Sequence, residues 1–520
     1  MRYRIHQIKL NMDEDSGSFE SAIRKKLKKR SLRIHDISIV KESVDARKKP
    51  DVKLVYTLDF SCDEKLPLDE ARVHDYDAER AEDMALCRKA CADSAGKNTL
   101  RRPVIAGFGP CGMFAGLLLA EAGMKPVIIE RGRAVEDRIR DVQEFRNGGR
   151  LNPESNVQFG EGGAGTFSDG KLTTGIKDVR TGKVLKEFAE AGADKSILYK
   201  QKPHIGTDKL MGIVSSVRNK IERLGGEVRF GTRLDDMVIE ETEGRRILRA
   251  VVAGGDIIET NALILAIGHS ARDTFSMLYE RGLPMQQKPF SIGVRIQHPQ
   301  EMIDRAQYGD PALADKLGAA DYKLNHRCEN GRGVYTFCMC PGGHVINASS
   351  EENTAVTNGM SNSARDGKTA NSGLLVDVRT DDFPSEHPLA GVEFQRKYER
   401  LAYEQGGGGL PDTRYGDFRS DENDRVRKSL PEFAAEAIIE AMPHLGRKLR
   451  GFDSDDAVMT AVETRSSSPV RISRGSDMQT SVEGIYPAGE GPGYAGGIMS
   501  AAVDGIKAAE SIIAKNIMAV

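Results

Sequence analysis

The chain has 520 residues, of which 39% are hydrophobic and 29% charged, and its formal net charge is −2 at pH 7. This composition is typical of a globular protein with two or three domains. A net charge so close to zero excludes a global electrostatic attraction to nucleic acid or membranes, and the first residues lack the apolar core of a signal peptide. We therefore expect a cytoplasmic protein without a membrane partner.

The N-terminal hundred residues predict a small α/β domain with the order strand, helix, strand, strand. Apolar residues alternate in the strands and recur at helical spacing between the first two. The strands are expected over 3–10, around Ile37 and Ile39, and over 51–60, and the helix carries Phe19, Ile23 and Leu27 on one stripe.

A basic run, RKKLKKR at residues 24–30, lies on this predicted helix. A solvated helix face is the simpler interpretation of such a run, and contact with RNA is the alternative. No aromatic-rich stacking surface or known RNA module accompanies it, so we do not expect nucleic acid as a partner.

A dinucleotide-binding motif begins at Val104, where the chain reads VIAGFGPCGMFAGLLLAEAGMKPVIIE. A short apolar strand is followed at once by Gly107-x-Gly109-x-x-Gly112, a helical stretch and a second apolar strand that ends at Glu130. Gly107 permits the tight turn, Gly109 lets the backbone approach a pyrophosphate, and Gly112 lets the helix pack closely on the strand. Because strand, helix and acid fall in register, the pattern predicts a complete βαβ unit.

Residues next to these glycines are predicted to contact the cofactor. Pro110 and Cys111 begin the helix, whose positive end would hold the phosphates. Glu130 lies 18 residues after Gly112, close to the spacing of about 20 that places a carboxylate on a ribose hydroxyl. Arg131, directly after it, is expected beside the adenosine.

The C-terminal segment GIYPAGEGPGYAGGIMSAAVDGIKAAESI predicts a short strand, a turn at Gly489 and Glu490, and a long helix from about Gly496. It resembles the C-terminal FAD motif of the glutathione-reductase and p-hydroxybenzoate-hydroxylase class of flavoproteins. The resemblance implies that Glu490 holds the ribityl chain and that the helix start, with Gly497 and Ile498, points at the pyrimidine edge of the flavin.

Two internal stretches resemble the same class. Residues 225–234 (GGEVRFGTRL) match the strand whose backbone contacts the adenine and end at Leu234. Residues 261–268 (NALILAIG) match a second strand and end with Ala266 and Gly268. Four motifs in the usual order imply that the dinucleotide is FAD, bound by a domain assembled from distant pieces of chain.

A glycine-rich stretch, GEGGAGTFSDGK, follows the first βαβ unit at residues 160–171. Related flavoproteins pass a loop along the flavin and pyrophosphate here, so the resemblance implies cofactor contact, with a mobile surface loop as the alternative. Small residues let backbone N–H groups reach a cofactor. The residues expected at the cofactor are Gly162, Gly163, Ala164, Thr166, Ser168 and Lys171.

Further segments are similar to one family, the bacterial and plastid FAD-dependent dehydrogenases often labelled NAD(FAD)-utilising. They read ESNVQFGEGGAGTFSDGKLTTG, PFSIGVRIQHPQ, TFCMCPGGHVINASSEE, NGMSNSARDGKTANSGLLVDV and ETRSSSPVRI. The resemblance covers nearly the whole chain and implies an α/β fold: a Rossmann-type FAD-binding domain assembled from discontinuous segments, an inserted α+β substrate domain and the small N-terminal α/β domain. We assign residues 1–97 to the N-terminal domain, 98–288 and 461–520 to the FAD-binding domain, and 289–460 to the inserted domain.

The NAD in that family label has no support in the sequence. A reductase that binds two dinucleotides needs a second strand–GxGxxG–helix unit, and the nearest glycine cluster, residues 406–409, follows no apolar strand and precedes Pro411. We interpret this cluster as a loop. Transient binding of NAD(P)H without a second dinucleotide domain stays open.

Four residues outside the cofactor motifs are candidates to bind or protonate the substrate. Arg295 and His344 lie in the inserted domain, and a structural role is the alternative for each. Arg465 is suited to bind a carboxylate or to stabilise reduced flavin, and an ion pair between domains is its alternative. Cys338 and Cys340 would share one face of a strand and could form a redox pair, although buried cysteines are more often small apolar residues.

Seven cysteines, spread between Cys62 and Cys340, do not suggest a secreted disulfide framework. Cys87 and Cys91 are one helical turn apart, without a second pair of ligands nearby. We therefore predict no metal site.

We predict a FAD-dependent oxidoreductase of the dehydrogenase type, which transfers hydride or electrons between non-covalently bound FAD and a small-molecule substrate. The sequence names neither that substrate nor the oligomeric state. The alternatives are a flavin-dependent enzyme that modifies transfer RNA and a non-catalytic flavin-binding or assembly protein.

Overall fold

The computed structural model describes residues 1–72, 75–93 and 101–518. The predicted boundary between the N-terminal domain and the FAD-binding domain, at residues 97 and 98, lies outside this part. None of the helices in the described ranges is both long enough and apolar enough to cross a bilayer.

The first unit of the structure is a small antiparallel sheet covered by one helix. Its elements, with the two helices that follow, are β1 (Arg2–Asn11), α1 (Phe19–Leu27), β2 (Ile34–Asp45), β3 (Lys53–Cys62), α2 (Tyr76–Glu79) and α3 (Ala81–Asp93). The strand order is β1-β3-β2. Phe19 packs edge-on against Tyr56 with 4.8 Å between ring centroids, and Ile23 is fully buried. The predicted order of strand, helix, strand and strand is confirmed.

The chain from residue 101 to α8 contains the predicted dinucleotide-binding elements. They are β4 (Val104–Ala106), α4 (Pro110–Glu121), β5 (Val127–Ile129), α5 (Val135–Arg146), α6 (Arg180–Glu190), α7 (Thr207–Arg223), β6 (Glu227–Arg229), β7 (Leu234–Thr242), β8 (Arg245–Ala253), β9 (Asp256–Glu259), β10 (Leu263–Leu265) and α8 (Arg272–Glu280).

The remaining elements form the inserted region and the C-terminal segment, whose last strand joins a parallel sheet. They are β11 (Met285–Gln287), β12 (Phe290–Pro299), α9 (Gln300–Tyr308), α10 (Ala314–Leu317), β13 (Asn325–Arg327), β14 (Gly333–Cys340), β15 (His344–Asn347), β16 (Thr357–Met360), β17 (Thr369–Val378), α11 (Ala390–Gln405), β18 (Asp412–Arg414), α12 (Tyr415–Ser420), α13 (Arg425–Lys428), α14 (Glu432–Lys448), β19 (Val458–Glu463), β20 (Val470–Ile472), β21 (Val482–Glu483), β22 (Ile485–Pro487) and α15 (Ile498–Met518).

The chain forms a five-stranded parallel sheet with the order β22-β10-β4-β5-β6. Its three-residue strands β4, β5, β10 and β22 are buried throughout, as expected for a parallel sheet covered on both faces. Val104 pairs with Leu263, and Leu263 pairs with Ile485, so the sheet joins segments far apart in the chain. This topology confirms the predicted α/β class and its discontinuous assembly.

Helix α15 connects the C-terminus to the early part of the chain. It packs along α4 and also against α3. The Tyr76 hydroxyl donates to Glu510 at 2.7 Å, and Cys87 belongs to the same apolar core as α4 and α15. Helices α2 and α3 therefore share the core of the parallel sheet, although they follow the N-terminal sheet in sequence.

The inserted region is built on an antiparallel sheet with the order β13-β14-β17-β12-β19-β18. Its second apolar core contains β12, β17 and helices α11 and α14. Strand β12 begins at Phe290 and β19 ends at Glu463.

A buried cluster of charged side chains joins the inserted region to the parallel-sheet unit. Glu399 of α11 is fully buried and accepts two hydrogen bonds from Arg272 of α8, at 2.7 and 2.8 Å. It accepts two more from Arg465, at 3.0 and 3.1 Å, and one from the Thr464 hydroxyl at 2.7 Å. Although burial alone would raise the pKa of Glu399, the two arginines hold it well below its usual range. The carboxylate is thus the shared counter-ion of two buried guanidinium groups.

Replacement of Glu399 by glutamine should destabilise the protein by about 3–5 kcal/mol, because two buried arginines would lose their common counter-ion. The measurement is the urea midpoint of unfolding. Glu393→Gln is the control on the same helix, since that carboxylate is 57% exposed and pairs with Arg396 on the surface. Its expected cost is about 1 kcal/mol or less. Equal midpoints for the two variants would contradict the assigned role of Glu399.

Candidate functional site

A cavity of about 760 Å³ lies between the parallel sheet and the inserted sheet. The residues that follow β4, β5 and β10 line one side of it, and β14, β16 and the segment after β19 line the other. Ligands of open α/β sheets bind at the carboxyl ends of the strands, and cavities of this volume accommodate large organic molecules.

The turn between β4 and α4 presents backbone, not side chains, to the cavity. Gly107 has φ +101°, and a Cβ there would lie 2.3 Å from the Ala266 carbonyl oxygen. A Cβ on Gly112 would lie 1.9 Å from the Gly107 carbonyl oxygen, so turn and helix can approach this closely only with glycine. The first turn of α4 leaves the N–H groups of Cys111 and Gly112 without intrahelical acceptors. Gly107, Gly109, Pro110 and Cys111 all line the cavity, whereas Gly112 serves the packing behind it.

Glu130 holds three loops together at the end of β5. Its carboxylate accepts hydrogen bonds from the backbone N–H groups of Phe108 at 2.8 Å and of Gly132 and Gly160 at 2.9 Å. The side chain also lines the cavity, so its predicted contact with a ribose hydroxyl stays a prediction. Arg131 pairs with Asp273 at 2.6 Å beside the same cavity.

The glycine-rich stretch is packed into the molecule. Gly163, Ala164, Ser168 and Lys171 line the cavity. The other two predicted residues face away from it: a Cβ on Gly162 would meet the Thr166 side chain, and the Thr166 hydroxyl donates to the Glu161 carbonyl at 3.1 Å.

The start of α15 also lines the cavity, on the same side as the residues that follow β4, β5 and β10. Glu490, Gly497 and Ile498 line the cavity, and so do the earlier predicted residues Leu234, Ala266 and Gly268. Gly489 does not, because it packs on Cys111, where a Cβ would lie 2.8 Å from the cysteine Cβ. Burial raises the pKa of Glu490 to about 7, although the ammonium group of Lys288 lowers it in part.

Three features of the cavity wall are suited to a dinucleotide. Two helix N-termini open on the cavity, and free backbone N–H groups with a positive helix end are suited to a pyrophosphate. At Gly107 the Ala266 carbonyl leaves no room for a Cβ, so this part of the turn presents bare backbone to the cavity. Carboxylates at both ends of this side are suited to hydroxyl groups.

Cys338 is placed by an irregularity in β14 that the sequence does not reveal. The pairing of β14 with β17 shifts between Phe337 and Cys340, and Cys338 has φ +43°. This bulge interrupts the regular alternation on which the expectation of a shared strand face rests, yet Cys338 and Cys340 both line the same cavity. Cys338 is exposed to it, whereas Cys340 is buried and its thiol donates to the Cys338 carbonyl at 3.3 Å. Enclosure by protein raises the pKa of Cys338 to about 12, so its thiol stays protonated at neutral pH.

The other three catalytic candidates have structural partners. Arg465 lines the cavity, but its guanidinium pairs with Glu399 and donates to the hydroxyl of Ser270 at 3.0 Å. The pair with Glu399 agrees with the alternative interpretation of Arg465 as part of an ion pair between domains. Arg295 is fully buried and pairs with Glu463 at 2.6 Å. His344 does not line the cavity; its ring lies on β15, 2.9 Å from the guanidinium of Arg146.

Sequence reasoning missed several titratable groups of the cavity wall. His269 lies four residues after the end of β10, and its Nδ1 is 2.8 Å from the Ser270 hydroxyl. Burial, reinforced by two nearby arginines, lowers the pKa of His269 to about 3, so the ring is neutral. Burial raises the pKa of Glu463 in spite of Arg295. The position of His269 at the end of a predicted cofactor strand was a usable signal.

Two segments of the chain match families of known proteins. Residues 289–466 match the family described as FAD-dependent protein, C-terminal domain-like. Residues 2–61 match a domain of unknown function, DUF8436. The first match supports FAD binding and a FAD-dependent enzyme in general.

A relative in Clostridium beijerinckii named "Uncharacterized protein" is 46% identical over 538 aligned positions, which cover 99% of each chain. The chain belongs to the same family as this Clostridium protein.

Solved structures overlap with the chain at TM-scores below 0.5, which carry no argument about its reaction. They include a triple mutant of the flavin-dependent brominase Bmp2 (TM-score 0.38, 13% identity, 81% of each chain). They also include the L-proline dehydrogenase from P. horikoshii (0.32, 14%, 79% of this chain and 93% of that one). A third is the glycine oxidase from Bacillus cereus (0.33, 11%, 80% and 95%).

Gly112→Ala should abolish flavin binding, because the added methyl group collides with the Gly107 carbonyl and forces α4 away from the turn. Gly212→Ala is the matched control: it lies in the interior of α7 with open space around its Cβ position. The control should retain flavin and gain about 0.5–1 kcal/mol of stability. The measurement is the ratio of flavin to protein absorbance after purification. Full flavin content in Gly112→Ala would disprove the close-packing argument.

Glu490→Gln should stabilise the flavin-free protein more at pH 8.5 than at pH 5. The folded-state pKa of Glu490, about 7, lies above its usual value of 4.5, so folding favours the protonated form and that contribution is lost as pH rises through 7. Glutamine removes the buried charge that the wild type carries at pH 8.5. Thermal unfolding of both proteins at both pH values measures the effect, with the exposed Glu436→Gln as control. A shift in Tm that is the same at both pH values would argue against the raised pKa.

Proposed function

We propose that the protein is a FAD-dependent oxidoreductase that passes hydride or electrons between bound FAD and a small organic substrate. One observation carries the proposal: the N-termini of α4 and α15 open on the same cavity, whose far wall is the inserted sheet. The two helix ends would hold the cofactor on the side of the cavity opposite that wall.

The residues assigned to the cofactor act through backbone groups and two carboxylates. The N–H groups of Cys111 and Gly112 would hold the pyrophosphate, and Glu130 would accept from a ribose hydroxyl. FAD, when bound, supplies the capacity to accept and donate hydride or single electrons. The positive N-terminus of α15, with Gly497 and Ile498 in the cavity wall, stabilises negative charge in its neighbourhood.

The substrate is assigned to the space between the cofactor side and β14. His269 and Cys338 are uncharged at neutral pH and serve as hydrogen-bonding groups. Lys171, whose ammonium lies 3.8 Å from Asp169, supplies a positive charge to the same cavity. Arg465 is a positioning residue, because its guanidinium is bound to Glu399 and holds the wall in place.

A tightly bound nicotinamide dinucleotide is not part of the proposal. Within the described residues the parallel sheet is the only one with a βαβ unit, and the sheets of the inserted region are antiparallel. Residues 406–409 form the turn after α11, so their interpretation as a loop is confirmed. The electron donor assigned to the cavity is therefore the organic substrate itself.

The RNA alternative finds little support in the basic helix. Arg24 pairs with Glu20 at 2.6 Å, and the Lys26 ammonium donates to the His6 carbonyl at 2.6 Å. Lys29 pairs with Glu64 at 2.5 Å. These charges are engaged within their own domain.

The purified protein should contain FAD that NADH and NADPH reduce slowly or not at all under anaerobic conditions. Photoreduction should convert this flavin to its reduced form, and artificial acceptors should reoxidise it over several cycles, as electron transfer through an open cavity requires. The measurement is absorbance at the flavin band, with flavin-free Gly112→Ala as the blank. Bound flavin that cannot be photoreduced, or that no acceptor reoxidises, would refute the oxidoreductase in favour of a non-catalytic flavin protein. Rapid bleaching by NADH would overturn the assignment of the donor.

A further inference from the structure

Metal-binding side chains meet at a second place, outside the cavity, where β13 approaches α14. His326 lies on β13, Cys328 begins the turn into β14, and Glu440 lies in α14. One ligand atom from each residue lies within 4.8 Å of those of the other two. The Nε2 of His326 is 3.6 Å from the Oε1 of Glu440. Three different elements thus bring imidazole, thiol and carboxylate to one point.

The spacing of these atoms is close to that around a tetrahedral ion. Bonds of about 2.0–2.3 Å from Zn²⁺ to nitrogen, oxygen and sulfur place the ligands roughly 3.3–3.8 Å apart. The distance between His326 and Glu440 already falls in this range. Since no two of the three ligand atoms are more than 4.8 Å apart, they need to move together by at most about 1–1.5 Å, which side-chain rotation supplies.

Neighbouring groups hold the ligands in orientation. The Glu329 backbone N–H donates to Glu440 Oε1 at 2.9 Å, and the His444 ring stacks on the His326 ring with 4.0 Å between centroids. The turn that carries Cys328 is closed by two backbone hydrogen bonds, from Cys328 N–H to Arg332 at 2.8 Å and from Gly331 N–H to Cys328 at 2.9 Å. Such outer contacts raise the affinity of metal sites.

We propose that His326, Cys328 and Glu440 bind one Zn²⁺ ion. A thiolate and an imidazole select against Mg²⁺ and Ca²⁺, which prefer oxygen ligands, and the mixed set of nitrogen, sulfur and oxygen is typical of zinc. Cys328 is buried, whereas His326 and Glu440 are 18% and 33% exposed, so the ion enters from the solvent side. A water molecule completes the coordination on that side. The Cys328 thiol loses its proton to solvent when the ion binds.

The position of the ion gives it a bracing role. It ties the turn between β13 and β14 to α14, at the edge of the inserted sheet. Strand β14 continues from this turn to Cys338 and Cys340 in the cavity wall. The ion thus fixes one end of a strand whose other end lines the cavity, and it takes no part in electron transfer.

Zinc binding can be measured on the purified, flavin-loaded chain after treatment with a chelator. Dialysis against buffers of defined micromolar free Zn²⁺, followed by elemental analysis, gives the bound zinc per chain. The wild type should bind one equivalent, and Cys328→Ser and Glu440→Gln should each need on the order of tenfold or more free zinc for half-saturation. Glu436→Gln, an exposed carboxylate one turn earlier on α14, is the matched control and should bind like the wild type.

The stability readout separates loss of the site from loss of the fold. Zn²⁺ should raise the Tm of the wild type and of Glu436→Gln but leave those of Cys328→Ser and Glu440→Gln unchanged, while all four metal-free proteins keep their flavin. If Cys328→Ser does not fold, the single variants Glu440→Gln and His326→Asn test zinc binding in its place. A wild type that binds no zinc, or ligand variants that bind zinc as the wild type does, would overturn the proposal.

Discussion

The buried carboxylate of Glu399 is the interaction on which the arrangement of the two large units depends. It accepts from side chains of α8 and of the segment after β19, so three separate stretches of chain must meet at one point. A buried charge is tolerated only when its lone pairs are satisfied, and here Arg272, Thr464 and Arg465 together donate five hydrogen bonds to it. Because Arg465 is both a ligand of this carboxylate and a wall residue, the ion cluster also sets the shape of the cavity. The inserted sheet can close over the parallel sheet only in the position where these groups meet.

The cofactor half of the cavity was predictable because its constraints are local and few residues satisfy them. A turn with φ +101° whose Cβ would collide with a carbonyl admits glycine alone, so the spacing of Gly107, Gly109 and Gly112 carries structural information without any knowledge of the rest of the chain. Strand and helix followed from apolar periodicity. The full set of Glu130 partners did not, because one of its donors, Gly160, belongs to a loop 30 residues later.

The substrate half could not be predicted in the same way, because residue type does not reveal the layer in which a side chain lies. Arg295 looked available for a substrate, yet β12 is buried on both faces and its guanidinium pairs inside the sheet with Glu463. His344 lies on a small two-stranded sheet away from the cavity. Cys338 reaches the cavity through a bulge, which shifts every later side chain by one position and leaves no mark in the sequence. His326, Cys328 and Glu440 are brought together by tertiary packing alone, so no spacing rule indicated them.

The discontinuous parallel sheet has a consequence for synthesis of the chain. Helix α4 is buried along ten of its twelve residues, and α15, which packs along it, is synthesised only after the whole inserted region. Until then the apolar helix and the unpaired edge of β10 would be open to other nascent chains, in the manner that leads to aggregation or recruits chaperones. Helix α15 therefore acts as an internal cover as well as part of the cavity wall, and translation must pass through the inserted region before the apolar face of α4 is protected.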